Sequence, residues 1–146
     1  MTTLEANQTR TFATAQRVDI ALAVLRVLIG IIFIAHGYQK IAIYTLPGTV
    51  EAFTGMGAPF PGLTATLIAF IELLGGAALV AGLFTRIAAP LLALDMLGAL
   101  LLVHVKAGFF NPNGVEFPLA LLAATVALSL TGAGRYAVDA LRTRNA

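Results

Sequence analysis

Apolar residues run through the chain in four long stretches, which short polar or proline- and glycine-containing segments separate. The stretches cover about residues 19–44, 63–84, 87–105 and 115–131. A helix needs about 20 apolar residues to cross the hydrocarbon core of a bilayer. The pattern therefore predicts an all-α fold, a four-helix transmembrane bundle that forms one membrane domain over residues 19–134.

The connectors predict how these helices are arranged. Residues 45–62 contain several prolines and glycines, and we expect a short helix near 49–56 that lies in the membrane interface. Thr85 and Arg86 form the whole predicted turn between the second and third stretches, so these helices should be antiparallel neighbours. Pro90 then falls in the first turn of the third helix, where a proline is tolerated.

The composition supports a membrane location. Hydrophobic residues make up 59% of the chain and charged residues 11%, with a mean hydropathy of +0.91, whereas a soluble domain carries about 25% charged residues. Residues 1–18 are polar and lack a signal-peptide cleavage site, which predicts a disordered cytoplasmic tail. Residues 135–146 predict a basic cytoplasmic tail.

The positive charges predict the orientation. With four spans, Lys40 and Lys106 fall on one side of the membrane, and the opposite side holds Arg10, Arg17, Arg86, Arg135, Arg142 and Arg144. Positive residues concentrate on the cytoplasmic side, so both termini are expected there. This distribution accounts for the net charge of +2, and we expect the lipid bilayer and no nucleic acid as a partner.

The absence of cysteine narrows the chemistry. The chain contains no Cys and two His, which excludes thiol exchange, iron–sulfur clusters and c-type haem attachment within this chain. His36 and His104 are too far apart in the sequence for a short metal-ligand motif. We therefore expect neither a metal nor a haem.

An inner layer of polar residues is expected inside the membrane. At ~1.5 Å per residue, Arg26 lies roughly 10 Å, Asp95 roughly 12 Å and Glu72 roughly 18 Å from the cytoplasmic side. Opposite charges at one depth should pair, so these residues form either a helix-joining network or a proton or ligand site. Small residues that would let the helices pack closely lie beside them: Gly30, Gly37, Gly75 and Gly76.

An outer layer suggests a ligand site. His36 and His104 both lie roughly 25 Å in, and Lys40 and Glu116 lie beyond them. With Glu72 they are candidates for binding a small polar or quinone-like ligand or a proton, and the alternative is an interfacial histidine beside snorkelling lysines. Asp95 and His104 lie half a turn apart on an ideal helix, so both can face the interior only if the helix bends or the interior is wide.

Several motifs together resemble the DoxX family of small bacterial membrane proteins. These motifs are LRVLIGIIFIAHGYQKI at 25–41, IELLGGAALVAGLFTR at 71–86, LLVHVKAGFF at 101–110 and TGAGRYAVDAL at 131–141. The positions that match the family pattern are Arg26, Gly30, His36, Gly37, Lys40, Glu72, Gly75, Gly76, Gly82, Arg86, His104, Glu116, Gly132, Gly134 and Asp139.

The resemblance implies a multi-pass protein of the bacterial cytoplasmic (inner) membrane, related to the DoxD-type subunit of thiosulfate:quinone oxidoreductase. A membrane subunit of a redox system with a quinone as cofactor is the first hypothesis, because without cysteine any redox role needs a quinone or a partner subunit. The second is a non-catalytic scaffold or assembly partner for a soluble redox protein. The third is a small transporter or proton pathway. A redox subunit or a second copy of the chain would be the protein partner.

Overall fold

The computed structural model describes the backbone of residues 3–144 and the side chains of residues 12–141. The described chain is helical and contains no strand. Its helices are α1 (Thr3–Tyr38), α2 (Thr45–Gly55), α3 (Pro61–Ala81), α4 (Thr85–Ala99), α5 (Glu116–Thr131) and α6 (Val138–Arg144). A π-helical segment, Gln39–Ile43, continues α1, and a second, Leu100–His104, continues α4 and leads into a 3₁₀ turn at Val105–Ala107.

Three helical stretches are long and apolar enough to cross a membrane: Phe12–Ile43, Pro61–Ala81 and Thr85–Ala107. They correspond to the first three predicted spans. The fourth, α5, is apolar but has 16 residues, which gives about 24 Å of helix against a hydrocarbon core of about 30 Å. The all-helical membrane fold agrees with the sequence prediction, whereas a fourth crossing stays a prediction because α5 is short.

The start of α1 differs from the prediction. The helix begins at Thr3, so residues 3–18 of the predicted disordered tail are helical, and residues 1–2 lie outside the described range. No glycine or proline occurs between Thr3 and Asp19, so nothing interrupts a helix that the apolar span nucleates. The predicted tail at 135–146 contains α6, whereas residues 145–146 and the side chains of Arg142 and Arg144 lie outside the described residues.

The turn between α3 and α4 also differs from the prediction. It consists of residues 82–84, and Thr85 and Arg86 belong to the first turn of α4. Gly82 adopts a left-handed conformation with φ of +67°, which ends α3 without the steric cost that a side chain would bring. Because α4 starts at Thr85, Pro90 lies inside the helix rather than in its first turn. The short helix predicted in the first connector is present as α2.

The long helices form a closed ring in which α1 packs on α3, α3 on α4, α4 on α5 and α5 on α1. Their buried side chains make one apolar core: Phe33, Leu79, Ala88, Ala89, Leu92, Met96, Leu121 and Leu128. The helix α2 lies against α3 and the first π-helical segment. It therefore covers the end of the bundle where Lys40 lies.

Glycines allow α1 and α3 to touch through their backbones. A Cβ at Gly76 would lie 2.6 Å from the carbonyl oxygen of Gly30, and a Cβ at Gly37 would lie 2.5 Å from the backbone nitrogen of Leu73. Gly75 instead faces α4, where a Cβ on this glycine would lie 3.2 Å from Cγ of Leu92. Such backbone contact between membrane helices requires small residues.

Replacing Gly76 by alanine should destabilise the bundle by about 1–3 kcal/mol, because the new methyl group meets backbone atoms that cannot move independently. The free energy of unfolding in detergent, measured by SDS titration with circular dichroism, tests this. Gly62→Ala in the same helix is the matched control. A Cβ there meets nothing within 4 Å, so that variant should stay within about 1 kcal/mol of the parent. Equal stability of the two variants would contradict the close backbone contact.

Candidate functional site

A partly buried ion pair joins the π-helical continuation of α1 to α3. The Lys40 ammonium donates to Glu72 Oε2 at 2.6 Å, and the two side chains are 18% and 4% exposed. Lys40 lies in the first π-helical segment, where Tyr44 N donates to Gln39 O at 2.9 Å. A π-helical turn inserts one residue into the helix and turns the following side chains, and such turns are frequent at functional sites.

Thr49 connects helix α2 to the backbone beside the ion pair. Its buried hydroxyl donates to the carbonyl oxygen of Lys40 at 2.8 Å. This bond fixes the backbone beside the ion pair and holds α2 over it. The first connector therefore belongs to the site, which the proline and glycine pattern did not indicate.

Asp95 of α4 faces the ion pair from the other side. Its side chain is 8% exposed and interacts electrostatically with both Glu72 and Lys40. Within the described part of the chain, Asp95 Oδ2 is buried and has no hydrogen-bond partner. The site thus combines one cation with two carboxyl groups in apolar surroundings, and one acceptor oxygen there is unused.

The second π-helical segment brings His104 to the same side of the bundle as Asp95. On an ideal helix these residues would point in opposite directions, but Leu100–His104 changes the register before His104. The His104 ring is held by a contact of 2.7 Å between Nδ1 and the carbonyl oxygen of Asn113. Sequence analysis expected a bend in the third helix if Asp95 and His104 were both to face the interior, and the π-helical turn provides this change of direction.

Two cavities lie beside the ion pair. The first, here called the His36 cavity, has a volume of about 240 Å³ and contains side chains of α1, α3, α4 and α5. The His36 ring packs against the ring of Phe117 in α5, with 6.1 Å between the two ring centroids. The lining of this cavity is Phe33, His36, Lys40, Glu72, Met96, Ala99, His104, Pro112, Phe117, Pro118 and Leu121.

The second, here called the Asp95 cavity, lies under α2 and has a volume of about 210 Å³. It shares Lys40, Glu72, Met96, Ala99 and His104 with the His36 cavity. It adds Asp95 of α4, Phe53 of α2, and Met56 and Ala58, which follow α2. Its lining is Lys40, Phe53, Met56, Ala58, Ile68, Glu72, Asp95, Met96, Gly98, Ala99, Leu102, Val103 and His104. The ion pair is therefore a common wall of two largely apolar cavities.

Glu116 does not join the other predicted site residues. It lines neither cavity, and its Oε1 accepts a hydrogen bond of 2.8 Å from the backbone N–H of Asn111. The carboxylate at the start of α5 thus braces the preceding loop. Four of the five candidates, His36, Lys40, Glu72 and His104, do converge on the His36 cavity.

Arg26 is not paired with Asp95, contrary to the expected inner network. Its Nη1 donates to the carbonyl oxygens of Leu79 at 3.0 Å and Val80 at 2.8 Å, and its Nη2 donates to that of Tyr136. The carbonyls of Leu79 and Val80 belong to the last turn of α3, where carbonyls lack the usual donor four residues further along. The Leu79 oxygen also accepts from the Gly82 N–H at 3.1 Å. Gly82 leaves room for the guanidinium, since a Cβ there would lie 2.5 Å from Nη1.

Asp139 completes this end of the bundle, and its role was not predicted. Its carboxylate accepts from the backbone N–H groups of Phe84 at 2.9 Å and Thr85 at 3.0 Å, so it caps the N-terminus of α4. Its own N–H donates to Gly82 O at 2.9 Å. The only sequence signal was the terminal TGAGRYAVDAL motif, because capping by a residue so distant in sequence has no local pattern.

The acidic and histidine side chains around the cavities do not form a larger cluster. Within residues 12–141, whose side chains the structure describes, no group of three or more His, Cys, Asp or Glu residues could hold a metal ion. The polar groups around the cavities are instead hydrogen-bond donors and acceptors, which can orient an organic ligand.

Removing Lys40 should destabilise the fold strongly, because Lys40→Met leaves the Glu72 carboxylate buried without a cation. Loss of one partner of such a pair costs about 3–5 kcal/mol. The double variant Lys40→Met with Glu72→Gln should regain more than half of that loss, measured by SDS titration. The exposed Lys106 provides the control, and Lys106→Met should have little effect. A double variant less stable than Lys40→Met would contradict the pairing.

Comparison with known proteins agrees with the helical membrane fold. The DoxX family profile matches residues 21–105. A Bacillus subtilis protein named "Putative oxidoreductase CatD" is 40% identical over 121 residues, which cover 83% of this chain and 86% of that protein. The Escherichia coli inner membrane protein YphA is 28% identical over 139 residues, covering 91% and 98% of the two chains. No solved structure matches. The chain belongs to the DoxX family of membrane proteins.

Proposed function

We propose that this protein is the membrane subunit of a quinone-linked redox system and that the His36 cavity binds the quinone ring. The observation that carries the proposal is the convergence of His36, Lys40, Glu72 and His104 on one apolar cavity. Donors placed on an apolar wall are what a quinone needs, since its ring is apolar and its two carbonyl oxygens accept hydrogen bonds.

The size and lining of the cavity support a single ring. A cavity of about 150 Å³ in another protein holds benzene, and the His36 cavity has about 240 Å³. Phe33 and Phe117 supply aromatic walls, and His36 and Lys40 supply N–H donors. An isoprenoid tail would extend out between the helices into the lipid.

The remainder of the core argues against the third hypothesis, a proton or solute pathway. Between the ion pair and the Arg26 end, the bundle interior is filled by Leu79, Ala89, Leu92 and Leu128, each with no exposed surface. The hydroxyl of Thr125 is also buried there, but it donates to carbonyl oxygens of its own helix, those of Leu121 at 2.8 Å and Leu122 at 2.9 Å. A layer of this kind gives a proton no continuous polar path. The polar site therefore opens toward one end of the bundle only.

Electrons would have to come from a partner protein. This chain has no cysteine, and the cavities hold no side chain that is itself a redox centre. The name of the Bacillus subtilis relative, which shares 40% identity, is consistent with an oxidoreductase system in which this chain would supply the quinone site.

We further propose that α5 completes a four-span bundle with both termini in the cytoplasm of a bacterial inner membrane. The bilayer can thin locally around a short helix, and α5 packs on both α4 and α1. Arg86 and Arg135 then lie on the cytoplasmic side, as the positive-inside rule requires. Two Escherichia coli relatives are named inner membrane proteins.

The scaffold hypothesis also has an observation in its favour. Arg26 and Asp139 are engaged in fixing helix ends, which gives the Arg26 end of the bundle a fixed shape. Exposed apolar side chains, Tyr136, Val138 and Leu141, surround it. A soluble redox protein could dock on such a platform, and this role would need no small-molecule site.

A short-chain benzoquinone should bind to the detergent-purified protein, and His36→Ala should weaken binding by about tenfold through loss of one hydrogen bond and ring contact. Isothermal titration calorimetry measures both affinities. Glu116→Gln is the control that should bind as the parent does. If the folded parent protein binds no quinone, the scaffold hypothesis replaces this one.

The proposed topology predicts opposite labelling of two exposed sites. In intact cells a membrane-impermeant maleimide should label Asn113→Cys and leave Arg135→Cys unlabelled until the membrane is broken. The background is clean because the chain has no cysteine. Labelling of both sites from the outside would mean that α5 does not cross the membrane.

A further inference from the structure

The Asp95 cavity contains a buried polar group, Asp95, that the quinone proposal does not use. Asp95 lines this cavity and does not line the His36 cavity. Its side chain is 8% exposed, and its Oδ2 has no hydrogen-bond partner within the described residues. A buried acceptor without a donor costs free energy, and a donor brought by a ligand would recover it.

Lys40 supplies the complementary group beside it. The structure gives Lys40 Nζ one hydrogen bond among the described residues, to Glu72, and an ammonium group has three N–H donors. An unused acceptor and unused donors thus line the same cavity. A hydroxyl group matches this wall because it donates one hydrogen bond and accepts another.

The rest of the cavity is suited to a flat ring. Its other walls are mostly apolar and include Phe53, Met56 and Met96. Methionine sulfur makes favourable contacts with aromatic rings and adapts to their shape. The volume of about 210 Å³ exceeds the ~150 Å³ that holds benzene elsewhere, which leaves room for one substituent.

We propose that the Asp95 cavity is a binding site for a phenol, a neutral single-ring aromatic alcohol whose hydroxyl donates to Asp95 and accepts from Lys40. This proposal does not rest on the quinone proposal, although Lys40 would serve as a donor in both sites. The two cavities share the Lys40–Glu72 wall, but α2 and Asp95 belong to this cavity alone, and His36 and Phe117 to the other.

Gly98 offers a way to close this cavity without disturbing the fold. It lines the Asp95 cavity and not the His36 cavity, and a Cβ built on it meets nothing within 4 Å. Leucine is also a far better helix former than glycine. Gly98→Leu should therefore fill the cavity in a protein that remains folded.

The test uses 4-fluorophenol and ¹⁹F NMR on the detergent-purified full chain, with empty micelles as the reference for partitioning. The parent protein should give a saturable shift of the fluorine signal. Gly98→Leu should abolish the shift, and Asp95→Leu should weaken binding by about tenfold, because it removes the polar group that the phenol hydroxyl contacts while keeping a side chain of similar size. His36→Ala should bind the phenol as the parent does.

Two further ligands test the chemistry. 4-Fluoroanisole has the same ring but no donor, so it should bind at least about tenfold more weakly. Cyclohexanol has the hydroxyl without the aromatic ring and should compete poorly. Equal binding of the anisole, or unchanged binding in Gly98→Leu, would overturn the proposed site. Equal competition by cyclohexanol would overturn its assignment to aromatic alcohols. The result of the quinone assays with His36→Ala is independent of these phenol measurements.

Discussion

The ion pair between Lys40 and Glu72 is the interaction on which the arrangement of this bundle depends. Glu72 is 4% exposed in apolar surroundings, where an unpaired carboxylate is very costly. Its cation comes from the π-helical continuation of α1, so α1 and α3 must be close and in one register. The glycine contact between Gly30 and Gly76 permits that distance, and the π-helical turn at Gln39–Ile43 carries Lys40. Packing and electrostatics therefore require the same helix pairing.

The opposite end of the same helices is fixed by different chemistry. Arg26 reaches from α1 to the carbonyls that end α3, and Asp139 caps the helix that follows. Each charge meets backbone groups that a helix end leaves unsatisfied. The cavities lie beside the ion pair at one of these two ends, so the helices that form their common wall are held there by the Lys40–Glu72 contact. A site of this kind is largely formed before a ligand enters.

The sequence was sufficient to predict features that depend on local composition. It was not sufficient to predict contacts between residues that are distant in the sequence. Apolar runs were sufficient for three spans, and counting depth along the helices placed His36, Lys40 and His104 in one layer. The same count placed Glu72 in the inner layer, although in the structure it lines the same cavity as these three residues. Depth alone paired Arg26 with Asp95, because it ignores the direction of a side chain around the helix. The partners of Arg26 are carbonyl oxygens, which every residue carries, so no sequence pattern marks them. A π-helical turn likewise has no clear signature, and it decides where Lys40 and His104 point.

Because the Lys40–Glu72 pair forms a wall of both cavities, its effect on stability cannot easily be separated from its effect on ligand binding. Lys40 and Glu72 hold two helices together and line both cavities, so a substitution at either position changes stability and both sites at once. Loss of a ligand in such a variant would not reveal which role was removed. Residues that line one cavity alone do separate the roles. His36 reports on one cavity, Gly98 and Asp95 report on the other, and neither His36 nor Gly98 takes part in the ion pair. Substitutions at these positions can therefore test each proposed site without removing the ion pair.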